Sequence, residues 1–250
     1  MYEKEKANII SLLEKDSPSV AAIAKKNWKR YSKIVELMLD HSDIDKDSLI
    51  LDYGSGHGIV SKLLILLGYK VCSFEPHASE AEFKSSKLLG IDDIFTTSLE
   101  NNQQFDCVML NDVIEHLSIP RFTMEHINNL TKKDGYLMVS TPNVLRYNLW
   151  LRYLFRTTGH PLSIKVFIES DNNYVHHQRE YTLKELIYTL NHFGFESIYK
   201  NIIDTTPQRI DSIDHSPKPA SPLRKIFQVT KWIWPKSFTN NNLMVLGRKI

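Results

Sequence analysis

Three glycines stand at alternate positions, Gly54, Gly56 and Gly58, directly after an apolar run that ends in Asp52. Glycine tolerates positive φ angles and carries no Cβ, so such a loop lets a ligand approach the backbone closely. A plain turn between a strand and a helix needs only one or two glycines. The spacing therefore predicts a ligand cradled at the end of a strand.

Glu75, at the end of the next predicted strand, is the second residue whose type and position indicate a ligand. A carboxylate there can accept hydrogen bonds from both ribose hydroxyls of an adenosine, a feature that NAD and adenosyl cofactors share. The glycines follow a G-x-G-x-G register, with Ile59 where a dinucleotide fingerprint has its third glycine. This register, together with Asp52, favours an adenosyl cofactor.

Alternating strands and helices would bring these residues to one edge of a sheet. Apolar runs predict strands at 48–52, 70–75, 93–98, 105–112, 135–142, 195–203 and 242–250, and helices at 59–67, 79–89, 120–130 and 181–195. The last helix has Thr182 as its N-cap, with Glu185 three residues later. Such alternation predicts a largely parallel sheet covered on both faces, and ligands bind outside the carboxyl ends of its strands.

The chain divides into an N-terminal helical part and one larger domain. Helical periodicity at 3–14 and 18–40 predicts a cap formed by residues 1–47. Residues 48–250 would form the α/β domain. Its pattern breaks at two inserts, 143–176, expected to be a lid over the acceptor, and 204–241.

Bulk composition excludes several classes of protein. The chain has 250 residues, 42% of them hydrophobic, and a net charge of +2, so no overall field attracts nucleic acid. Cys72 and Cys107 lie in strand-like runs and are predicted to be buried, reduced thiols. The N-terminus lacks the apolar core of a signal peptide, and no run of apolar residues is long enough to span a membrane. We therefore expect a cytoplasmic protein.

Several motifs, in the right order, resemble those of class I S-adenosylmethionine-dependent methyltransferases. "LDYGSGHG" at 51–58 resembles their first motif, and "SFEP" at 73–76 resembles the acidic loop after their second strand. "FDCVMLNDVIEHL" at 105–117, "DGYLMVSTPN" at 134–143 and "HQREYTLKELIYTLNHFGF" at 177–195 are similar to segments of the ubiquinone-biosynthesis-like branch. The resemblance implies a Rossmann-like seven-stranded sheet of order 3-2-1-4-5-7-6, with strand 7 antiparallel, and S-adenosyl-L-methionine as the cofactor.

The resemblance also implies roles for individual residues. The glycines would surround the methionine end and ribose, Asp52 would bond the loop backbone or the cofactor amine, and Glu75 would hold the ribose diol. Tyr31 would close the pocket from the N-terminal helices or pack on the sheet edge, and His77 could stack on adenine or face solvent. The predicted cofactor-binding set is Tyr31, Asp52, Gly54, Ser55, Gly56, Gly58, Glu75, Pro76, Ser98, Leu99, Asn111 and Asp112.

Methyl transfer to a hydroxyl requires a group that removes the proton, and histidine is the usual base near neutral pH. His116 follows the fourth strand, where it would lie in the cleft or cap the next helix. His177 and Arg179, in the segment that precedes the last helix, would reach the acceptor or make a structural tie with Glu180. These three are the candidate catalytic residues.

Other histidines and a metal are weaker candidates. His160 and His176 lie in the first insert and are secondary choices for the base. Asp112, Glu115 and His116 could imitate a cluster of metal ligands, but no metal is predicted.

Two segments, 143–165 and 222–236, interleave basic and aromatic residues and contain no acid. They would contact a small-molecule acceptor that is anionic or amphiphilic, or the surface of a membrane. The alternative is ordinary packing of long basic side chains around apolar patches. No RNA-binding module is recognisable, so nucleic acid is not a predicted partner, and nothing in the sequence specifies an oligomeric state.

The resemblance of the segments "STPN" and "HQREYT" implies O-methylation of a sugar, a phosphorylated sugar derivative or another precursor of a bacterial surface polysaccharide. The alternatives are methylation of a quinone or another small metabolite, a non-catalytic cofactor-binding partner subunit, and a nicotinamide-dependent reductase. The glycine register opposes the last of these.

Overall fold

The computed structural model describes residues 2–100, 102–146, 177–205 and 233–250, and its centre is a seven-stranded sheet. The strands are β1 Leu49–Tyr53, β2 Lys70–Phe74, β3 Phe95–Thr96, β4 Phe105–Asn111, β5 Thr131–Pro142, β6 Phe195–Ile203 and β7 Asn242–Lys249. They lie in the order 3-2-1-4-5-7-6. Strands β1 to β5 pair in parallel, and β7 is antiparallel to β5 and β6. The predicted fold class and strand order are confirmed.

Helices cover both faces of this sheet. They are α1 Glu3–Glu14, α2 Pro18–Asp40, α3 Ile59–Leu66, α4 Glu80–Leu89, α5 Pro120–Leu130, α6 Leu183–His192 and the short α7 Lys236–Thr239, with a 3₁₀ turn at Ile114–His116. Helix α6 begins at the predicted cap, where Thr182 Oγ1 accepts from the Glu185 N–H and Glu185 Oε2 accepts from the Thr182 N–H.

Two strands differ from their predicted bounds by more than one residue. β3 is only two residues long, because this edge strand pairs with β2 at Phe95 and Thr96 alone. β5 begins earlier than position 135, since Thr131 already pairs with Phe105 before the register shifts between Phe105 and Cys107.

The hydrophobic core has two parts, one on each face. On one face, Leu13, Trp28 and Met38 of the N-terminal helices pack with Met109 and Met138 of the sheet. The other face is covered by α5 and α6. The N-terminal helices therefore share a core with the sheet.

The two cysteines differ in burial. Cys107 is buried, whereas Cys72 is half-buried, and both are free thiols. Burial raises the pKa of the Cys72 thiol to about 11.

Of the two inserts, residues 147–176 and 206–232 lie outside the described residues. Within the described ranges, no helix has the length and apolar character needed to cross a bilayer.

Candidate active site

The glycine loop joins β1 to α3 at the carboxyl edge of the sheet. An added Cβ at Gly54 would clash with Val113, and one at Gly58 would clash with Ile91. At Gly56, where φ is +52°, an added Cβ would meet no heavy atom within 4 Å. The bare Cα of Gly56 therefore faces open space, whereas the other two glycines permit close packing.

Backbone hydrogen bonds tie this loop to β2. The N–H groups of Gly54 and Ser55 donate to the Phe74 carbonyl at 2.8 and 3.1 Å. The Gly56 N–H donates to Oε2 of Glu75 at 2.9 Å. The loop is thus held by the strand that carries the acid.

Asp52 lies beneath the loop and is almost fully buried, at 1% exposure. Its Oδ2 accepts from Ser61 Oγ at 2.7 Å, and its Oδ1 accepts a longer bond from Asn111 Nδ2 at 3.4 Å. Burial raises the pKa of Asp52 to about 6, although these bonds oppose the increase. The N–H groups of Gly54, Ser55 and Gly56 bond Phe74 and Glu75 rather than Asp52. Of the two predicted partners of Asp52, the cofactor amine stays a prediction.

Two cavities meet at Gly54 and Asp112. The smaller, about 210 Å³, is lined by Arg30, Tyr31, Asp52, Gly54, Ser55, Gly56, His57, Ile59, Val60, Asn111 and Asp112. The larger, about 520 Å³, is lined by Tyr53, Gly54, Glu75, Pro76, His77, Asp112, Val113, His116, Leu117, Ser118, Ile119, Phe122 and Thr123. Together they form a cleft along the ends of β1, β2 and β4.

Asp112 is the charged residue at the junction of the two cavities. Its backbone has a φ of +55°, an unusual value for a non-glycine residue. Its Oδ2 lies 2.6 Å from Nη1 of Arg30, and its buried Oδ1 has no hydrogen-bond partner among the described residues. Burial raises the pKa of Asp112, while the Arg30 and His177 charges oppose the increase. Such strain and an unpartnered polar atom are typical of a functional position.

Glu115 is a second buried carboxyl close to this junction. Its Oε2 accepts from Thr141 Oγ1 at 2.9 Å, and its Oε1 has no partner among the described residues. Burial, and then the nearby Asp112 carboxylate, raise the pKa of Glu115 well above its usual range. The neutral, protonated form of Glu115 is therefore favoured.

His116 and His177 come together beside these carboxyls. Their ring centroids lie 4.9 Å apart in an edge-to-face arrangement. Nδ1 of His177 lies 2.9 Å from Oε1 of Glu180, whose carboxylate also pairs with both terminal nitrogens of Arg146. The 3₁₀ turn places one histidine, and the entry to α6 places the other.

Comparison with known families identifies the chain. Residues 23–200 match the profile of a family described as "Methyltransferase domain". The chain belongs to this methyltransferase family. The matched region includes every residue that lines the two cavities.

Curated relatives share part of the methyltransferase. It is 27% identical over 120 residues to a ubiquinone biosynthesis O-methyltransferase of Rickettsia bellii, covering 46% of this chain and 50% of the relative. It is 30% identical over 125 residues to the protein of the same name from Rickettsia typhi, covering 47% of this chain and 50% of the relative. The match thus spans about half the length of these relatives.

Solved structures share its fold. A SAM-dependent methyltransferase from Archaeoglobus fulgidus superposes with a TM-score of 0.55 at 13% identity, covering 91% of this chain and 98% of the other. Magnesium protoporphyrin IX methyltransferase from Synechocystis PCC 6803 gives 0.55 at 14% identity, covering 92% and 87%. At these identities the likeness concerns the fold alone.

Most of the predicted cofactor residues of the methyltransferase lie in the cleft. Those that line one or both cavities are Tyr31, Asp52, Gly54, Ser55, Gly56, Glu75, Pro76, Asn111 and Asp112. Gly58, Ser98 and Leu99 line neither cavity. Gly58 packs against Ile91, the Ser98 carbonyl accepts from the Thr96 hydroxyl, and the half-buried Leu99 packs against the edge of the core.

Two of the three candidate catalytic residues lie at the larger cavity, and the third does not. His116 lines the larger cavity and His177 lies against it. Arg179 is exposed, and its Nη2 donates to Oε1 of Glu185 at 2.7 Å, so this placement does not support a catalytic role. The secondary candidates His160 and His176 lie outside the described residues.

Sequence reasoning missed two ion pairs, Arg30–Asp112 and Arg146–Glu180. Arg30 stands on α2, on no motif, beside the Tyr31 that was singled out. Asp112, Arg146 and Glu180 lie in segments that the sequence analysis singled out, at 105–117, 143–165 and 177–195, but nothing in the sequence indicated that they would pair.

Proposed function

We propose that this chain is an S-adenosylmethionine-dependent O-methyltransferase that acts on a small molecule. The observation that carries the proposal is the open space above Gly56, where the backbone is unobstructed, beside a carboxylate already aligned with the loop. The donor set fits an adenosyl cofactor, since a half-exposed acid serves a ribose diol and bare backbone admits a ligand. When bound, S-adenosylmethionine supplies a methyl group on a positively charged sulfur.

Each cavity suits one part of that cofactor. Glu75, with Pro76 and His77 beside it, would hold the ribose and adenine in the larger cavity. The smaller cavity would take the methionine end, with the guanidinium of Arg30 available to a carboxylate. Asp112 lies where the cavities meet and Asn111 lines the smaller cavity next to it, and both would face the acceptor.

The acceptor is proposed to be a hydroxyl on a small aromatic or quinone-like molecule. The relatives are named for O-methylation in ubiquinone biosynthesis, which supports this class. The expectation of a surface-polysaccharide precursor finds no support among them. His116 and His177, whose rings lie 4.9 Å apart, would take the hydroxyl proton.

An anionic or amphiphilic acceptor, contacted by segments 143–165 and 222–236, also remains a proposal. Both segments lie mostly outside the described residues. Arg146, at the start of the first, is committed to Glu180 rather than to a ligand. A vesicle-sedimentation assay with and without anionic lipid tests the membrane part, and equal recovery in both pellets would remove it.

Two measurements test the activity. S-adenosylhomocysteine should raise the melting temperature, whereas NADH should not; the reverse would favour a reductase. Release of S-adenosylhomocysteine should then be measured with 3,4-dihydroxybenzoate and with UDP-glucose as probe acceptors. Turnover of the catechol supports the proposal, and turnover of the sugar nucleotide alone would restore the polysaccharide assignment. Cofactor binding without turnover of either would favour a non-catalytic subunit.

A further inference from the structure

Glu180 is a buried carboxylate held between a cation and an imidazole. Its side chain is 1% exposed, it makes two hydrogen bonds with Arg146, and its Oε1 lies 2.9 Å from Nδ1 of His177. Burial alone would raise the pKa of Glu180, but the bonds from His177 and Arg146 lower it overall. Glu180 is therefore an ionised acceptor in the folded protein.

An ionised carboxylate can only accept hydrogen bonds, so the proton of this contact must sit on Nδ1 of His177. In a neutral imidazole with its proton on Nδ1, the other nitrogen, Nε2, has a free lone pair. The contact with Glu180 thus selects one tautomer of His177 and makes Nε2 its basic atom.

His177 lies beside the cleft. Its ring stands 4.9 Å from that of His116, which lines the larger cavity, and its side chain is 29% exposed. The Asp112 carboxyl at the junction of the cavities lies within electrostatic reach of His177. A hydroxyl entering the cleft beside Asp112 would meet this imidazole.

Arg146 keeps the arrangement rigid. A buried carboxylate without a cation would be costly, and the paired guanidinium removes that cost. Next to it, the Val144 N–H donates to the Tyr181 carbonyl at 3.1 Å, and Asn143 bridges to Tyr181. The chain before residue 147 and the chain after residue 176 are thereby fastened together beside His177.

We infer that His177 is the general base of the methyltransferase and that Glu180 is its positioning residue, an inference that rests on the proposed function. The O–H bond of the acceptor breaks, its electron pair stays on oxygen, and the proton forms a bond to Nε2 of His177. The Glu180 carboxylate stabilises the resulting imidazolium through the Nδ1 proton. The oxygen is left as the nucleophile.

A metal site at the same residues is the rival interpretation, and the experiment must distinguish it from a general base. Ligand atoms of Glu115, His116 and His177 lie within 4.8 Å of one another, so a cation could occupy the space between them. A metal ligated by Nε2 of His177 would remove the basic atom. The metal and base roles of His177 are therefore mutually exclusive.

Long-range ¹H–¹⁵N correlation NMR of the full chain labelled with ¹⁵N-histidine reads the tautomer directly, and His177→Ala assigns the resonance. The neutral wild-type His177 should carry its proton on Nδ1. Glu180→Gln should shift it towards the Nε2–H form, whereas Glu125→Gln, which removes an exposed carboxylate paired with Arg121, should leave it unchanged. An Nε2–H tautomer in the wild type overturns the inference even if the variant fails to fold.

Kinetics with whichever probe acceptor the wild type methylates supplies the second readout. Glu180→Gln should lower kcat at least about tenfold, the direction seen when a residue that fixes a catalytic tautomer is lost. The deficit of His177→Ala should shrink as pH rises towards ionisation of the acceptor hydroxyl, which a structural role would not produce. Unchanged kcat in both variants overturns the inference.

A failure of this inference can be distinguished from a failure of the proposed function. Calorimetry with S-adenosylhomocysteine should give the same affinity for the wild type and Glu180→Gln, and absence of binding to the wild type would instead refute the proposed function. Titration with Zn²⁺ and Mg²⁺ completes the test. A stoichiometric shift of the His177 Nε2 resonance, with activity lost on chelation, would assign a metal site and overturn the base.

Discussion

Oε2 of Glu75 lies 2.9 Å from the backbone nitrogen of Gly56 and accepts its hydrogen bond. The acid at the tip of β2 therefore helps to shape the glycine loop after β1. Its other oxygen, Oε1, accepts a longer bond of 3.3 Å from the His77 N–H. Loop and acid form one unit, so a change in either should affect ligand binding.

Glu75→Gln should weaken binding of S-adenosylhomocysteine. The amide keeps one acceptor oxygen for the loop but loses the charge offered to the ribose, and hydrogen bonds to charged groups are worth about 1.5–3 kcal/mol. Calorimetry should compare it with Glu80→Gln, a change at the start of α4. Equal affinities in the two variants would argue against Glu75 as the ribose acceptor.

Arg30→Gln should weaken binding of S-adenosylhomocysteine by about tenfold or more, because the guanidinium would no longer meet the carboxylate of its homocysteine moiety. Arg121→Gln is the control, since its partner Glu125 lies on the exposed face of α5. Melting temperatures should be measured alongside, because Asp112 loses its partner at 2.6 Å. Wild-type affinity in a folded Arg30→Gln protein would contradict the placement.

His116→Ala should lower turnover while leaving cofactor affinity nearly unchanged. The ring lines the larger cavity next to His177 but lies beyond the residues proposed to hold the ribose. Steady-state kinetics and calorimetry together measure the two effects. Normal turnover would make His116 a structural residue.

Asp52 should make stability depend on pH. Its folded pKa of about 6 lies above the ordinary 3.8, so the folded state holds the proton more tightly than the unfolded state does. The resulting stabilisation is present below about pH 4 and is lost as pH rises through 6, by at most about 3 kcal/mol. Urea unfolding of the wild type and Asp52→Asn should show this difference in slope. Parallel pH profiles would show that Asp52 does not titrate in this range.

Local signals account for what the sequence predicted well. The Thr182–Glu185 cap is short-range, and the glycine register follows from backbone geometry that only glycine adopts easily. The strand order, including the antiparallel β7, came from the motif resemblance rather than from periodicity.

Long-range pairing accounts for what was missed. Arg30 pairs with Asp112 across the cleft, and Arg146 pairs with Glu180, which is 34 residues away in sequence. No local sequence pattern predicts either pair. The motif resemblance implied the loop backbone or the cofactor amine as the partner of Asp52. In the fold its nearest donors are Ser61 and Asn111, on the next helix and the adjacent strand.

Calorimetric titration of S-adenosylhomocysteine into the wild type, Gly56→Ala and Gly90→Ala shows whether the cofactor binds over Gly56. Both glycines have left-handed backbones, with φ of +52° and +59°, so each alanine should add a similar strain of about 1–2 kcal/mol. Only the Cβ at position 56 would enter the proposed cofactor space. The wild type and Gly90→Ala should bind S-adenosylhomocysteine, and Gly56→Ala should bind it much more weakly. No heat with the wild type, or equal affinity in all three, would contradict this prediction.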